Sequence, residues 1–126
     1  MGNRKTILVV DDDPLILDAF RSFLTQEGHR MIGVRGVSEA VERLFTERVD
    51  LVITEVDLMG LSATGLPGLI KQIDRDLPVI VMSDRAEVMG SMSAVKRQAD
   101  LLLNKPLDLG EIRAAITRLL TAGTDA

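Results

Sequence analysis

The chain has 126 residues, the length of one domain, with 46% apolar and 27% charged residues, a balance that fills one core, covers it and argues against disorder. Its net charge of −4 argues against nucleic acid as a direct partner, because a phosphate backbone calls for a basic face, and the absence of cysteine excludes disulfide frameworks and thiolate metal sites. No apolar run approaches the roughly 18–20 residues of a membrane span and the start is too short and polar for a secretory leader, so the expectation is a cytoplasmic protein without membrane contact.

In chain order, Thr6–Val10 is a nearly continuous apolar run, as a strand covered on both faces should be. Asp13 and Pro14 follow as an N-cap and a proline at the first helical position. The helix they open carries a broad stripe of Leu15, Ile16, Ala19, Phe20, Phe23 and Leu24, and Gly28 stops it. His29, with no partner motif nearby, reads as a solvated loop residue. Arg30–Val34 is the second strand, and Ala40, Val41, Leu44 and Phe45 mark the second helix. Asp50–Thr54 is the third strand, and it runs into Glu55.

From Met59 to Gly68 the chain holds three glycines and a proline. A regular helix would lose roughly 1 kcal/mol per glycine and about 3 for the proline, so this reads as a long loop, with Pro67 opening a third helix through Leu69, Ile70 and Ile73. Pro78 precedes the fourth strand, Val79–Met82, where its missing N–H does least harm. Val88, Met92 and Val95 mark a fourth helix. Met82, Met89 and Met92 gather there as core filling, the alternative being a methionine-rich binding surface, and Lys96-Arg97 reads as a solvated face. Leu101–Leu103 is the fifth strand. Asp108 with Glu111 forms a capping box for the last helix, which carries Ile112, Ile116, Leu119 and Leu120. Residues 122–126 read as a tail or the start of a linker. Strands alternating with helices imply right-handed βαβ units, an α/β doubly wound parallel sheet and one domain over 1–126, ordered over about 5–121.

Ligands bind at the carboxyl edge of such a sheet, and that edge gathers charge here. Asp11, Asp12 and Asp13 follow the first strand, Glu55 the third, Ser83 the fourth and Lys105 the fifth. Carboxylates packed together need a counter-ion, which Lys105 supplies alone or together with a hard divalent cation.

The runs Ile7–Pro14, Asp50–Glu55, Leu77–Ser83 and Leu103–Pro106, in this order and spacing, resemble the receiver domain of bacterial two-component response regulators over nearly the whole chain. The resemblance implies a five-stranded flavodoxin-like sheet of order 2-1-3-4-5. It implies a protein that signals through contacts with a histidine kinase or another signalling protein and has no turnover of its own. By the same resemblance Asp11, Asp12 and the Asp57 carbonyl would hold Mg²⁺. Ser83 would bond a phosphoryl oxygen, Lys105 would pair with its charge, and the Lys105-Pro106 bond would be cis. Asp13 matches no ligand and stays with the helix cap.

Three features depart from the family. Its phosphoacceptor aspartate is replaced by Glu55, its switch aromatic three residues before the lysine is Leu102, and its loop after the acceptor is replaced from Met59 onward. A displacement of about 1 Å costs in-line transfer roughly 100-fold, so the expectation is an atypical, phosphorylation-independent receiver. Either Glu55 reaches Lys105 and stands in for the phosphoryl charge, or the domain is a docking module with no defined on-state. The alternative is a working acceptor that uses Glu55 or Asp57 with Mg²⁺. The face of the fourth and fifth helices is the candidate for homodimer or effector contact. A flavodoxin-like small-molecule binder is disfavoured, because no glycine-rich loop follows the first strand and acids there repel phosphate.

Overall fold

A computed structural model describes residues 4–58, 61–62, 65–84 and 98–122. Five parallel strands, β1 (Thr6–Val10), β2 (Arg30–Val34), β3 (Leu51–Glu55), β6 (Val79–Ser83) and β7 (Leu101–Asn104), form one sheet in the order β2-β1-β3-β6-β7. Counted within that sheet, this is the expected 2-1-3-4-5 order. Four helices accompany it among the described residues: α1 (Pro14–Gln26), α2 (Val37–Thr46), α3 (Leu66–Ile73) and α4 (Leu109–Ala122), which is the last helix expected from the sequence. The stripe of Val88, Met92 and Val95, together with Met89 and Lys96-Arg97, lies outside the described residues, as do 123–126, and with them half of the expected contact face.

Alternation within each strand divides the core into two layers. Ile7, Val9, Leu51, Ile53, Ile80 and Met82 pack with Phe20, Phe23 and Leu24 of α1 and Ile112, Ala115 and Ile116 of α4. Leu8, Val10, Val52, Val79 and Val81 face the other way, onto Ala40 of α2 and Leu66 and Ile70 of α3. Both faces are covered, which is why the middles of these strands are apolar on both sides. The helix stripes are narrower in the structure than in the sequence: Leu15 and Phe45 are exposed. No helix among the described residues is long and apolar enough to cross a membrane.

The local signals act as the residues require. Asp13 Oδ1 accepts from the Leu15 amide at 2.9 Å and caps α1. Asp108 Oδ1 accepts from the amides of Gly110 (2.7 Å) and Glu111 (3.1 Å) and caps α4. Gly28 takes φ +86° after α1, with its amide on the Thr25 carbonyl and the His29 amide on the Leu24 carbonyl, both bonds of a Schellman motif. His29 is half-buried rather than fully solvated, because its Nδ1 accepts from the Lys5 amide at 3.3 Å.

The expected loop after Glu55 is more structured than its glycines suggest. Asp57–Leu58 (β4) and Leu61–Ser62 (β5) pair antiparallel, Asp57 opposite Ser62. Helix α3 takes Pro67 into its first turn and continues through Gly68. Proline costs little there, since that N–H has no helical partner.

Candidate functional site

Three strand ends bring the charged groups together. Past β1 the Asp11 amide donates to the Val34 carbonyl of β2 at 3.1 Å, so the chain keeps its sheet register into the acidic turn. Asp11 is 1% exposed. Its Oδ1 accepts from the Asp13 amide at 2.9 Å and its Oδ2 from Lys105 Nζ at 3.0 Å. Glu55 closes β3 opposite Met82 and is 5% exposed. Its Oε1 accepts from the Val56 amide at 3.0 Å, and its Oε2 lies 2.8 Å from Lys105 Nζ.

Lys105 therefore bridges two buried carboxylates on different strands. Its backbone is fixed as well: β7 pairs with β6 up to Asn104 opposite Ser83, and the Lys105 amide donates to the Ser83 carbonyl at 2.9 Å. The Lys105-Pro106 peptide is cis. Burial works against the ammonium, but the hydrogen bonds it donates to Glu55 and Asp11, with their charges, outweigh it and hold Lys105 above its ordinary value.

The remaining expected residues sit around this bridge. Ser83 is fully buried at the end of β6. Asp12 is half-buried beside Asp11. Asp57 begins β4, one residue past Val56. Leu102 is partly buried in the layer of α2 and α3. Sequence reasoning missed Arg35, whose Nε and Nη2 donate to the Asp12 carbonyl at 3.1 and 2.9 Å and tie the end of β2 to the acidic turn. The available signal was its place one residue past β2, the neighbour of β1 in the expected order.

Residues 7–117 match the model of the response regulator receiver domain. The chain belongs to this family. As a receiver it is 34% identical over 112 residues to the phosphoglycerate transport system transcriptional regulatory protein PgtA of Salmonella typhimurium, covering 89% of the chain and 27% of that protein. It is 33% identical over 119 residues to the DNA-binding transcriptional regulator NtrC of Azospirillum brasilense, covering 94% and 25%. The receiver thus spans about a quarter of these curated relatives. Among solved structures it is similar to response regulator TrrA of Thermotoga maritima in complex with Mg²⁺-BeF, with a TM-score of 0.83, 28% identity and coverage of 92% and 99%. A CheY-like receiver domain of Methanospirillum hungatei shares the fold at a TM-score of 0.89 and 23% identity, covering 98% of both chains.

The fit of a divalent ion to this receiver's own donors can be tested on their geometry. Mg²⁺ takes oxygen ligands at about 2.0–2.1 Å in a near-ideal octahedron. All four carboxylate oxygens of Asp11 and Glu55 already accept from nitrogen. Among the described residues no three acidic or imidazole side chains group as a metal site. In this arrangement an ion at Asp11 and Glu55 would have to replace those nitrogen donors.

Proposed function

We propose that this receiver works in two-component signalling without phosphorylation, with Glu55 at the acceptor position and the Glu55–Lys105 pair setting its state. The 2.8 Å contact between Glu55 Oε2 and Lys105 Nζ carries the reading. The family's lysine pairs with phosphoryl charge; here it already has a buried carboxylate as partner. Glu55 supplies less charge and fewer acceptor oxygens than a phosphoryl group, and Lys105 shares itself with Asp11, so the pair defines one fixed state. Leu102 at the aromatic switch position supports the same reading, since it has no ring to swing. Mg²⁺ accompanies TrrA of Thermotoga maritima; in the proposed resting state of this chain Lys105 stands on the acids instead. The partner is a histidine kinase or another signalling protein, met through surface contacts, and the protein is cytoplasmic.

Incubation with acetyl phosphate and Mg²⁺ followed by intact-mass and peptide mass spectrometry tests this. An unmodified chain is expected. A phosphoryl adduct on Glu55 or Asp57 would replace the reading with that of a working acceptor.

A further inference from the structure

We infer that the outer flank of α2 pairs with the same flank of a second copy of this chain, the two helices running antiparallel about a two-fold axis. Phe45 of each copy packs on Val41 of the other. The inference is independent of the reading of Glu55 and uses a face other than that of the fourth and fifth helices.

The chain holds three phenylalanines and no other aromatic residue. Phe20 and Phe23 are in the core, whereas Phe45 is 72% exposed. It ends a line at four-residue spacing: Val37 is 37% exposed and Val41 half-buried, so α2 shows solvent an apolar stripe along its length. Single exposed apolar residues are ordinary; a stripe that ends on an exposed phenylalanine has no role in the chain's own core. Ion pairs fix how the stripe is turned. Arg43 donates to Glu47 at 2.7 Å, and Arg30 of the edge strand β2 donates to the same carboxylate at 2.8 Å, so that side of α2 faces the edge of the sheet. Phe45 lies two residues, about 200°, round from Arg43, on the flank toward α3. There Lys71 reaches the other way, to Asp100 before β7. Leu69, 36% exposed and on the opposite side of α3 from Lys71, is turned toward α2. The two helices pack side by side, so the stripe borders a shallow apolar groove.

Charge selects the occupant. The N-terminal half of α2 carries Glu39 and Glu42, both exposed and neither in an ion pair among the described residues. Past its C-terminal end stands Arg48, whose side chain is 92% exposed and meets Asp50 only at 3.8 Å. Arg30 and Arg43 share the one carboxylate of Glu47, which leaves that end positive. A face acidic at one end and basic at the other complements itself when turned end for end, as an isologous contact requires. With Phe45 set against Val41 of the other copy, Arg48 falls opposite Ser38, beside Glu39 and about one turn from Glu42. A uniformly basic or acidic partner would be repelled at one end. Ten residues of helix span about 15 Å and offer well under the roughly 800 Å² per partner of a standard interface, so the dimer is weak and reversible.

Sedimentation equilibrium from about 20 µM to about 1 mM, the range of a contact this small, reads it. Wild type is expected to pass from monomer toward dimer across that range. Phe45→Ser is expected to weaken the dimer at least about tenfold, as loss of a central aromatic anchor does. Arg48→Glu and Glu42→Arg are each expected to stay monomeric, because like charges then meet at both ends. An equimolar mixture of those two variants is expected to dimerise, since one copy of each restores both matches. A wild type that stays monomeric at the highest concentration overturns the inference. So does a dimer that Phe45→Ser or either charge reversal leaves intact, which would use another face, and so does a mixture that stays monomeric. If Phe45→Ser fails to fold by circular dichroism, the charge reversals and their mixture decide.

Discussion

Lys105 Nζ lies 2.8 Å from Glu55 Oε2, and the two residues come from strands with β6 between them. A pair that spans two strand positions is held by the sheet rather than by local sequence. It also makes the carboxylate's reach the decisive variable. Glu55→Gln keeps the length and removes the charge. The lost charge-assisted bond is expected to cost about 1–2 kcal/mol, the low end for such bonds because Lys105 keeps Asp11. Glu55→Asp keeps the charge and shortens the reach. It is expected to weaken the pair by about 1 kcal/mol and to gain a phosphoryl adduct from acetyl phosphate in Mg²⁺. Urea unfolding reads the first effect and intact mass the second. An unmodified Glu55→Asp would mean that the pocket has lost more than its acceptor.

The raised position of Lys105 makes a pH prediction with a definite sign. A lysine whose folded value lies above its unfolded one stabilises the fold fully below the unfolded value. That stabilisation is lost as pH rises through the folded value. The advantage of wild type over Lys105→Gln should therefore hold level from about pH 7 to about pH 9.5 and shrink only above the ordinary lysine value of about 10.4. Paired urea melts across that range check it. A difference that collapses already near pH 8 would contradict the arrangement of the site.

Gly28 is predicted to be the most demanding turn in the first half of the chain. Its φ of +86° is one that L side chains rarely adopt, although a Cβ there would meet nothing within 4 Å. The cost of Gly28→Ala is therefore conformational and not steric: about 1 kcal/mol, from holding a residue with a Cβ in the left-handed region. Gly28→Asn should recover part of it, since asparagine tolerates that region. Chemical denaturation with an unchanged m-value would read both.

Most of the sheet was legible because strands covered on both faces are nearly continuous in apolar residues, and Thr6–Val10 and Val79–Met82 could be little else; the structure carries the second through Ser83. The pocket was legible for a related reason: a charge that ends such a run has to sit at the sheet's edge, and parallel strands bring those edges together. Three things were not. The β4–β5 pair consists of two-residue strands, too short for any period to register. Arg35 acts on a backbone carbonyl of the neighbouring turn, so its role depends on sheet order and leaves no side-chain pattern. The double pairing of Lys105 needed distances, because sequence supplies a lysine near two acids but not which oxygens it meets.

Asp100 offers the sharpest test of how β6 and β7 are held in register at the end opposite the pocket. Its Oδ2 accepts from the Val79 amide at 2.7 Å and from Lys71 Nζ at 2.8 Å, and the same ammonium donates to the Leu77 carbonyl. One carboxylate thus joins the entry of β6, the entry of β7 and helix α3. Asp100→Ala removes both bonds and leaves the Val79 amide unmatched at the start of a buried strand. Solvent reaches the carboxylate, so the loss should be about 1–2 kcal/mol rather than that of a fully buried pair. Asp100→Asn keeps an oxygen for the Val79 amide and gives up only the charge, so it should lose about half as much. If urea midpoints instead place Asn and Ala together, the ion pair with Lys71 carries the junction and the bond to the Val79 amide does not.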